Sequence, residues 1–348
     1  MKKKSPLKFP AVFAQNLADW FAIHGRDYPW RRTVDPYAIL VSEIMLQQTQ
    51  ITTVLERGYY ERWMKLFPDF TTLANASESA ALKAWEGLGY YRRARNLHKL
   101  AFTIVAEHGG VFPREIEAIR ALPGIGPYTA GAVASFAFDD RQAVVDGNVT
   151  RVLSRLFDDT TPVDSTRGHS LCWERAEKLI GKAESPRIHN SALMELGQTL
   201  CRTSEANCER CPVASFCATS DPLSLPVKEK RATITAVTER VFFLRTKSGV
   251  LLEQEKGPRR TGLWKLPVLP EMKKLPKTLH SSAYTITRYR VTLHVHAAGT
   301  KISTAPPLHH SIIPIRELAH LPMPSPYRRA LNAVMTAQES SVIPSSLG

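Results

Sequence analysis

The chain has 348 residues, 43% of them apolar, with a net charge of +14 and a pI near 9.7. That length allows two domains with full hydrophobic cores, and the apolar content excludes a disordered chain. No apolar run reaches membrane-span length and no signal-peptide hydrophobic region follows the basic start, so a soluble, intracellular (cytoplasmic) protein with a polyanionic partner is expected.

Helical patterning runs through residues 9–200. Asp35 followed by Pro36 is a helix start: a capping oxygen, then a ring that presets φ at the first helical position. It predicts a helix over 37–48. Further helices are predicted over 77–85, 92–107, 114–121, 129–138, 149–157, 166–179 and 191–200. Residues 221–235 are polar and contain prolines, and read as a linker. Beyond them, runs rich in Val, Thr, Tyr and Phe predict strands over 236–246, 250–254 and 284–296. A closing helix is predicted over 326–337 and a loose tail over 339–348. Charge divides unevenly. Residues 1–220 hold 27 Lys/Arg against 24 Asp/Glu, or +3, and residues 221–348 hold 19 against 8, or +11.

Four of the five cysteines, Cys201, Cys208, Cys211 and Cys217, are spaced C-x6-C-x2-C-x5-C. In an intracellular chain such a cluster points to metal rather than disulfides. Four thiolates suit tetrahedral zinc or an iron–sulfur cube. Cys172, in Leu-Cys-Trp, reads as a small core residue.

Leu122-Pro-Gly-Ile-Gly-Pro-Tyr-Thr129 lies between two predicted helices. Gly124 and Gly126 allow backbone conformations closed to other residues, so the turn can aim N–H groups at an anion such as a DNA phosphate. A plain helix–helix turn is the competing reading.

Two carboxylates sit in apolar surroundings. Glu43 is the single charge in Ala38-Ile-Leu-Val-Ser-Glu-Ile-Met-Leu46. Burial there would raise its pKa and make it a general acid. Asp146 lies where Ala143-Val-Val-Asp-Gly-Asn148 meets a helix start. It reads as an N-cap whose free oxygen could face a developing cation. A carboxylic acid and a carboxylate flanking a bond are what glycosidic cleavage needs.

These pieces, in this order, resemble the helix-hairpin-helix DNA glycosylase superfamily and, within it, the adenine DNA glycosylases of the MutY family. The matching stretches are His24-Gly-Arg-Asp-Tyr-Pro-Trp-Arg31, Val41-Ser-Glu-Ile-Met-Leu-Gln-Gln-Thr49, Ala84-Trp-Glu-Gly-Leu-Gly-Tyr-Tyr91, Leu122–Thr129, Val145-Asp-Gly-Asn-Val-Thr-Arg-Val152 and the cysteine loop. A weaker match continues around Gly262-Leu-Trp-Lys-Leu-Pro267. The resemblance implies a mostly α glycosylase region over 1–220, a six-helix barrel with an iron–sulfur loop at 201–217, and an α+β Nudix-like domain over 236–338. That domain lacks the Nudix catalytic box, so no magnesium binding or nucleotide hydrolysis is expected of it.

The resemblance also implies roles. Glu43 would protonate N7 of a flipped adenine and later handle water, and Asp146 would stabilise the oxocarbenium ion. Tyr128 would sit against Glu43, and Asn148 would hold the Asp146 region. Arg26, Trp30, Arg31 and Ser191 would line the base pocket. Ser191 stands where relatives carry a longer Gln or Glu. Gln48 and Tyr90 would wedge into the base stack, and a [4Fe-4S] cluster would order a basic loop, with Arg202 and Arg210, against DNA. Tyr128 occupies the place of the Schiff-base lysine of endonuclease III-like relatives, which implies a monofunctional, water-using enzyme. Thr287 and Arg288, in Ile286-Thr-Arg288, match the lesion-reading loop, which in the family reads Phe-Ser-His. The expected substrate is double-stranded DNA with A:8-oxoguanine or A:G mispairs, bound by a monomer. Removal of thymine or another mispaired base on the same scaffold, and mismatch binding without catalysis, are the competing readings.

Overall fold

The computed structural model describes residues 6–229, 233–257, 260–298 and 309–340. Along the chain come α1 (Pro10–His24), α2 (Pro36–Leu46), α3 (Ile51–Glu56), α4 (Tyr59–Leu66), α5 (Phe70–Asn75), α6 (Glu78–Ala84) and α7 (Arg92–His108). Next are α8 (Ile116–Ala121), α9 (Pro127–Phe138), α10 (Gly147–Leu156), α11 (Thr166–Ile180) and α12 (Pro186–Thr199). The strands are β1 (Thr235–Phe243), β2 (Val250–Gln254), β3 (Trp264–Lys265), β4 (Thr278–Ile286), β5 (Tyr289–Ala297) and β6 (His310–Ile313), and α13 (Ser325–Ser340) is the last element of the described residues.

The described residues form two compact units. One comprises residues 6–51, 68–71 and 99–229, and the other residues 52–67, 72–98, 233–257, 260–298 and 309–340. By contact, residues 52–67 and 72–98 group with the β-rich region rather than with the other helices before residue 220.

The first unit is helical because its starts are chemically marked and its faces are apolar. Asp35 caps α2 by accepting from the backbone N–H of Tyr37 (3.0 Å) and Ala38 (3.3 Å). Residues 37–45 of that helix are all buried, so it is the central element. It ends at Leu46, short of the predicted Gln48, because Gln47 turns out of the helical region with a ψ of 112° and Gln48 follows with a left-handed φ of 57°. Helix α12 starts at Pro186, five residues before the expected 191. Ser185-Pro186 repeats the start signal of Asp35-Pro36, and Ser185 accepts from the Ile188 N–H. Phe13, Leu17, Val149, Leu153, Leu179, Leu193, Leu196 and Phe216 form the core joining α1, α10, α11 and α12. Cys172 lies in this core, 4% exposed. The stretch read as a linker is anchored to it: Leu225 is buried, and Val163 N donates to Val227 O at 3.0 Å.

The second unit is α+β. One mixed sheet has strand order β1-β5-β4, with β1 and β5 parallel and β4 and β5 antiparallel. The other, antiparallel, has order β3-β2-β6. Val241, Phe243, Val250, Leu252, Leu293, Val295, Leu331 and Val334 form the core shared by the sheets and α13. The helical segment is tied in by Tyr91, whose hydroxyl donates to Met323 O at 3.0 Å, and by Glu86, which accepts from Arg328 Nε at 2.9 Å. The strand predicted over 284–296 is instead the end of β4, a two-residue turn at Thr287 and Arg288, and β5. Ile286 pairs with Tyr289 across that turn. Neither turn residue is Gly, Asn or Asp, so no ordinary hairpin signal marks it. Residues 341–348 of the expected tail lie outside the described residues.

Candidate active site

Helix α2 carries Glu43 into the interior, where it is 5% exposed. Helix α9 supplies Tyr128, whose hydroxyl donates to Glu43 Oε2 at 2.7 Å. Burial drives the Glu43 pKa up to about 7. The Tyr128 bond opposes that rise, the charge of Asp146 adds to it, and Arg31 opposes it. Glu43 can therefore hold a proton near neutral pH and release it to a base.

Asp146 is the N-cap of α10. One oxygen accepts from Val149 N at 2.7 Å, and the other accepts from Asn148 Nδ2 at 2.8 Å. Burial raises its pKa, while the bonds from Val149 and Asn148 and the charge of Arg151 hold it down. Asn148 in turn accepts from Arg151 Nη2 at 2.9 Å. Arg151 donates on to Gly197 O at 2.6 Å and Cys201 O at 2.8 Å. A continuous hydrogen-bonded path thus links Asp146 to the first cysteine of the loop. Gly197 makes it possible: a Cβ there would lie 2.7 Å from Asn148 Cβ.

The cavity beside Glu43 holds about 510 Å³ of empty space, part of it open to solvent. Tyr28, Trp30, Arg31, Phe136, Arg187, Ser191, Met194 and Gln198 are among the residues lining it. Trp30 stacks on Tyr28, with ring centroids 5.2 Å apart. Of the pocket residues named from the sequence, Trp30, Arg31 and Ser191 line the cavity with Glu43. Arg26 instead braces a wall. Its Nε reaches Glu195 Oε1 at 2.5 Å and its Nη2 reaches Gln198 Oε1 at 2.5 Å. Arg31 Nη1 donates to the other Glu195 oxygen at 2.8 Å. The Glu195 side chain is fully buried, so two guanidinium groups neutralise one buried carboxylate.

The hairpin turns at Gly124, whose φ of 77° favours glycine. Gly126 corrects the sequence reading: its φ is −101°, open to any residue. A Cβ at Gly126 would meet no atom within 4 Å, so the space beside this N-cap residue of α9 is open. Gln48 is exposed, whereas its neighbour Gln47 bonds Thr129 Oγ1 at 3.3 Å. Tyr90, in the second unit, is 43% exposed with a φ of 46°. Thr287 and Arg288 are exposed at the β4–β5 turn. The Thr287 hydroxyl donates to Ile286 O at 2.7 Å, and Arg288 lies against the Tyr289 ring.

In the cysteine loop, burial and the neighbouring Cys201, Cys217 and Cys208 thiols push the Cys211 thiol up to about 12. No group of three His, Cys, Asp or Glu side chains among the described residues is close enough to hold a metal ion by itself. Arg155, 1% exposed, donates through Nη1 to Cys201 Sγ at 3.2 Å and to Arg202 O at 2.8 Å. Its Nη2 has no partner among the described residues. A buried cation with an unused N–H beside thiol sulfur suits an anionic thiolate cluster. Arg202 and Arg210 are exposed on the same loop.

Sequence reasoning missed Glu195, Gln198, Arg187, Arg151 and Arg155. Glu195 had the signal that exposed Glu43, a lone charge within Ala192-Leu-Met-Glu-Leu. Gln198 carried none.

Residues 41–174 match the model of the HhH-GPD superfamily base excision DNA repair proteins. The chain is 34% identical over 259 residues to an adenine DNA glycosylase of Buchnera aphidicola subsp. Baizongia pistaciae, covering 73% of this chain and 72% of that one. It is 45% identical over 216 residues to the adenine DNA glycosylase of Rattus norvegicus, covering 59% of this chain and 41% of the relative. It thus spans about two fifths of the mammalian relatives' length. Among solved structures, a thermostable thymine-DNA glycosylase matches with TM-score 0.53 and 32% identity, covering 61% of this chain and 96% of that one. A trapped endonuclease III–DNA covalent intermediate shares the fold at TM-score 0.51 and 22% identity, covering 61% and 95%. The chain belongs to the adenine DNA glycosylase family of the HhH-GPD superfamily.

Proposed function

We propose that the protein excises adenine mispaired with 8-oxoguanine or guanine, by hydrolysis and without a lysine intermediate. The observation that carries this is the buried Glu43, its proton held near neutral pH and its carboxyl bonded to Tyr128, at the edge of a largely apolar cavity. The neutral Glu43 gives its proton to N7 of the flipped base. The C1′–N9 bond breaks, its electron pair leaving with adenine, and an oxocarbenium sugar remains. Asp146 faces that cation as the carboxylate held by Val149 and Asn148. Glu43, now ionised, takes a proton from the water that attacks C1′, and an abasic site remains. Tyr128 offers no amine for a Schiff base.

The four cysteines, 201, 208, 211 and 217, would hold a [4Fe-4S] cluster. Soft thiolate donors and the unpaired Arg155 N–H support this. The cluster would order the loop that presents Arg202 and Arg210 and take no part in hydrolysis. Double-stranded DNA is the partner, met by the hairpin at Gly124 and the N-terminus of α9, and the Thr287–Arg288 turn reads the base opposite adenine. We further read residues 1–220 as the glycosylase, 236–338 as its lesion reader, and the protein as a DNA-associated monomer. No helix among the described residues is long and apolar enough to cross a membrane.

Single-turnover assays on A:8-oxoguanine, A:G and T:G duplexes test the reading. Free adenine should be released by the unmodified protein and not by Glu43→Gln. Thymine release would transfer to this chain the activity named for its thymine-DNA glycosylase neighbour, and binding without release would make it a mismatch-binding protein. A strong borohydride-trapped adduct would overturn the monofunctional assignment.

A further inference from the structure

Helix α12 turns Ser191, Met194 and Gln198 into the cavity that holds Glu43. Spaced i, i+3 and i+7, they form one helix face. Gln198 alone of the three presents a donor and an acceptor side by side on a planar group. Its Oε1 accepts from Arg26 Nη2. An arginine only donates, so this bond settles which end of the amide is oxygen. Arg26 is itself held by the buried Glu195 carboxylate. The Nε2 end of Gln198 has no hydrogen-bond partner among the described residues.

We propose that Gln198 is a specificity-determining residue that reads the N6–H/N1 edge of the flipped adenine. Nε2 donates to N1, and Oε1 uses its second lone pair to accept from N6–H. The inference rests on the adenine-excision reading, which gives N7 to Glu43 and leaves this edge free. Guanine and hypoxanthine present the reverse order, an O6 acceptor and an N1–H donor. An amide free to rotate would serve both patterns. With its oxygen held by Arg26, the amide meets guanine donor to donor and acceptor to acceptor, leaving buried polar groups unpaired. The Ser191 hydroxyl, a short rotor that can donate or accept, cannot impose that order.

The test is single-turnover base release by the full chain from duplexes carrying adenine, 1-deazaadenine or hypoxanthine opposite 8-oxoguanine. Wild type is compared with Gln198→Ala and Gln198→Glu. The Glu variant keeps an oxygen for Arg26 but cannot donate at neutral pH. Both variants should slow adenine release by roughly tenfold, the scale of one buried hydrogen bond. Both should also lose the wild-type discrimination between adenine and 1-deazaadenine, and the Ala variant should narrow the gap between adenine and hypoxanthine. Using ratios cancels the altered basicity of the deaza base. If the variants keep the wild-type ratios, or Gln198→Glu matches wild type on adenine, Gln198 only braces Arg26 and the proposal fails. If wild type releases no adenine, the functional reading fails and takes this one with it. Adenine release with unchanged ratios overturns the role of Gln198 alone.

Discussion

The side chain of Asn148 joins Asp146 to Arg151, donating to the first across 2.8 Å and accepting from the second across 2.9 Å. The Asp146 carboxylate is thereby tied to the backbone of Cys201 through Arg151. Its position depends on α10 and α12 packing closely enough for that path to close.

Gly197→Ala tests this dependence. The added Cβ would lie 2.7 Å from Asn148 Cβ and 3.0 Å from Asn148 O, so Asn148 must shift. Overpacking of this kind costs about 1–3 kcal/mol. We expect a lower midpoint in urea unfolding and base release slowed by more than roughly tenfold, because the Asp146 oxygen moves with Asn148. Gly181→Ala, where a Cβ would lie 3.4 Å from the nearest atom, should leave the rate unchanged.

The pH dependence follows from Glu43. Its proton is bound below about 7 and lost above, so single-turnover base release should fall as pH rises through about 7. The Tyr128 bond favours the ionised carboxyl, so Tyr128→Phe should move that falling limb upward.

Glu43 also lowers stability. Between pH 4.5 and about 7 the folded protein keeps a proton that the unfolded chain has released. Stability therefore falls with rising pH across that window, and the deficit persists above it, at about 3 kcal/mol as an upper bound. Glu43→Gln should be inactive yet unfold at a higher temperature than wild type at pH 8, with the gain shrinking toward pH 4.

Iron content and visible absorbance test the cysteine loop. The purified protein should be brown, and Cys201→Ser should lose colour. Arg155→Met removes a buried cation beside Cys201 Sγ and should reduce iron retention, whereas exposed Arg202→Ala should not.

At the β4–β5 turn, Thr287 holds a φ of 51° that costs a β-branched residue roughly 1 kcal/mol or more. Thr287→Gly should raise the thermal midpoint. Arg288→Ala should leave stability within about 0.5 kcal/mol, as exposed substitutions do. It should weaken the preference for 8-oxoguanine over guanine opposite adenine, measured as a ratio of release rates.

The amino-acid sequence by itself determined the local chemistry. Asp35-Pro36 marked the start of α2, the apolar run around Glu43 announced a buried acid, and Asp146 before Gly147 announced a cap. Such signals are legible because caps, breakers and lone charges act within a few residues of chain. The hairpin at Thr287 and Arg288 escaped it because β alternation runs through a turn that lacks glycine. Only the tertiary structure decided what lies far apart in the chain but close in space. It brought Arg26 and Arg31 onto Glu195, set the Gln198 amide against Arg26, and ran the path from Asp146 to Cys201. The bonds of Arg26, Arg31 and Arg151 join residues 50 to 172 positions apart, and each forms only once the segments that carry its two ends have packed. The physical reason is that side-chain hydrogen bonds carry no periodicity of their own. They are consequences of the apolar packing that the periodic residues direct.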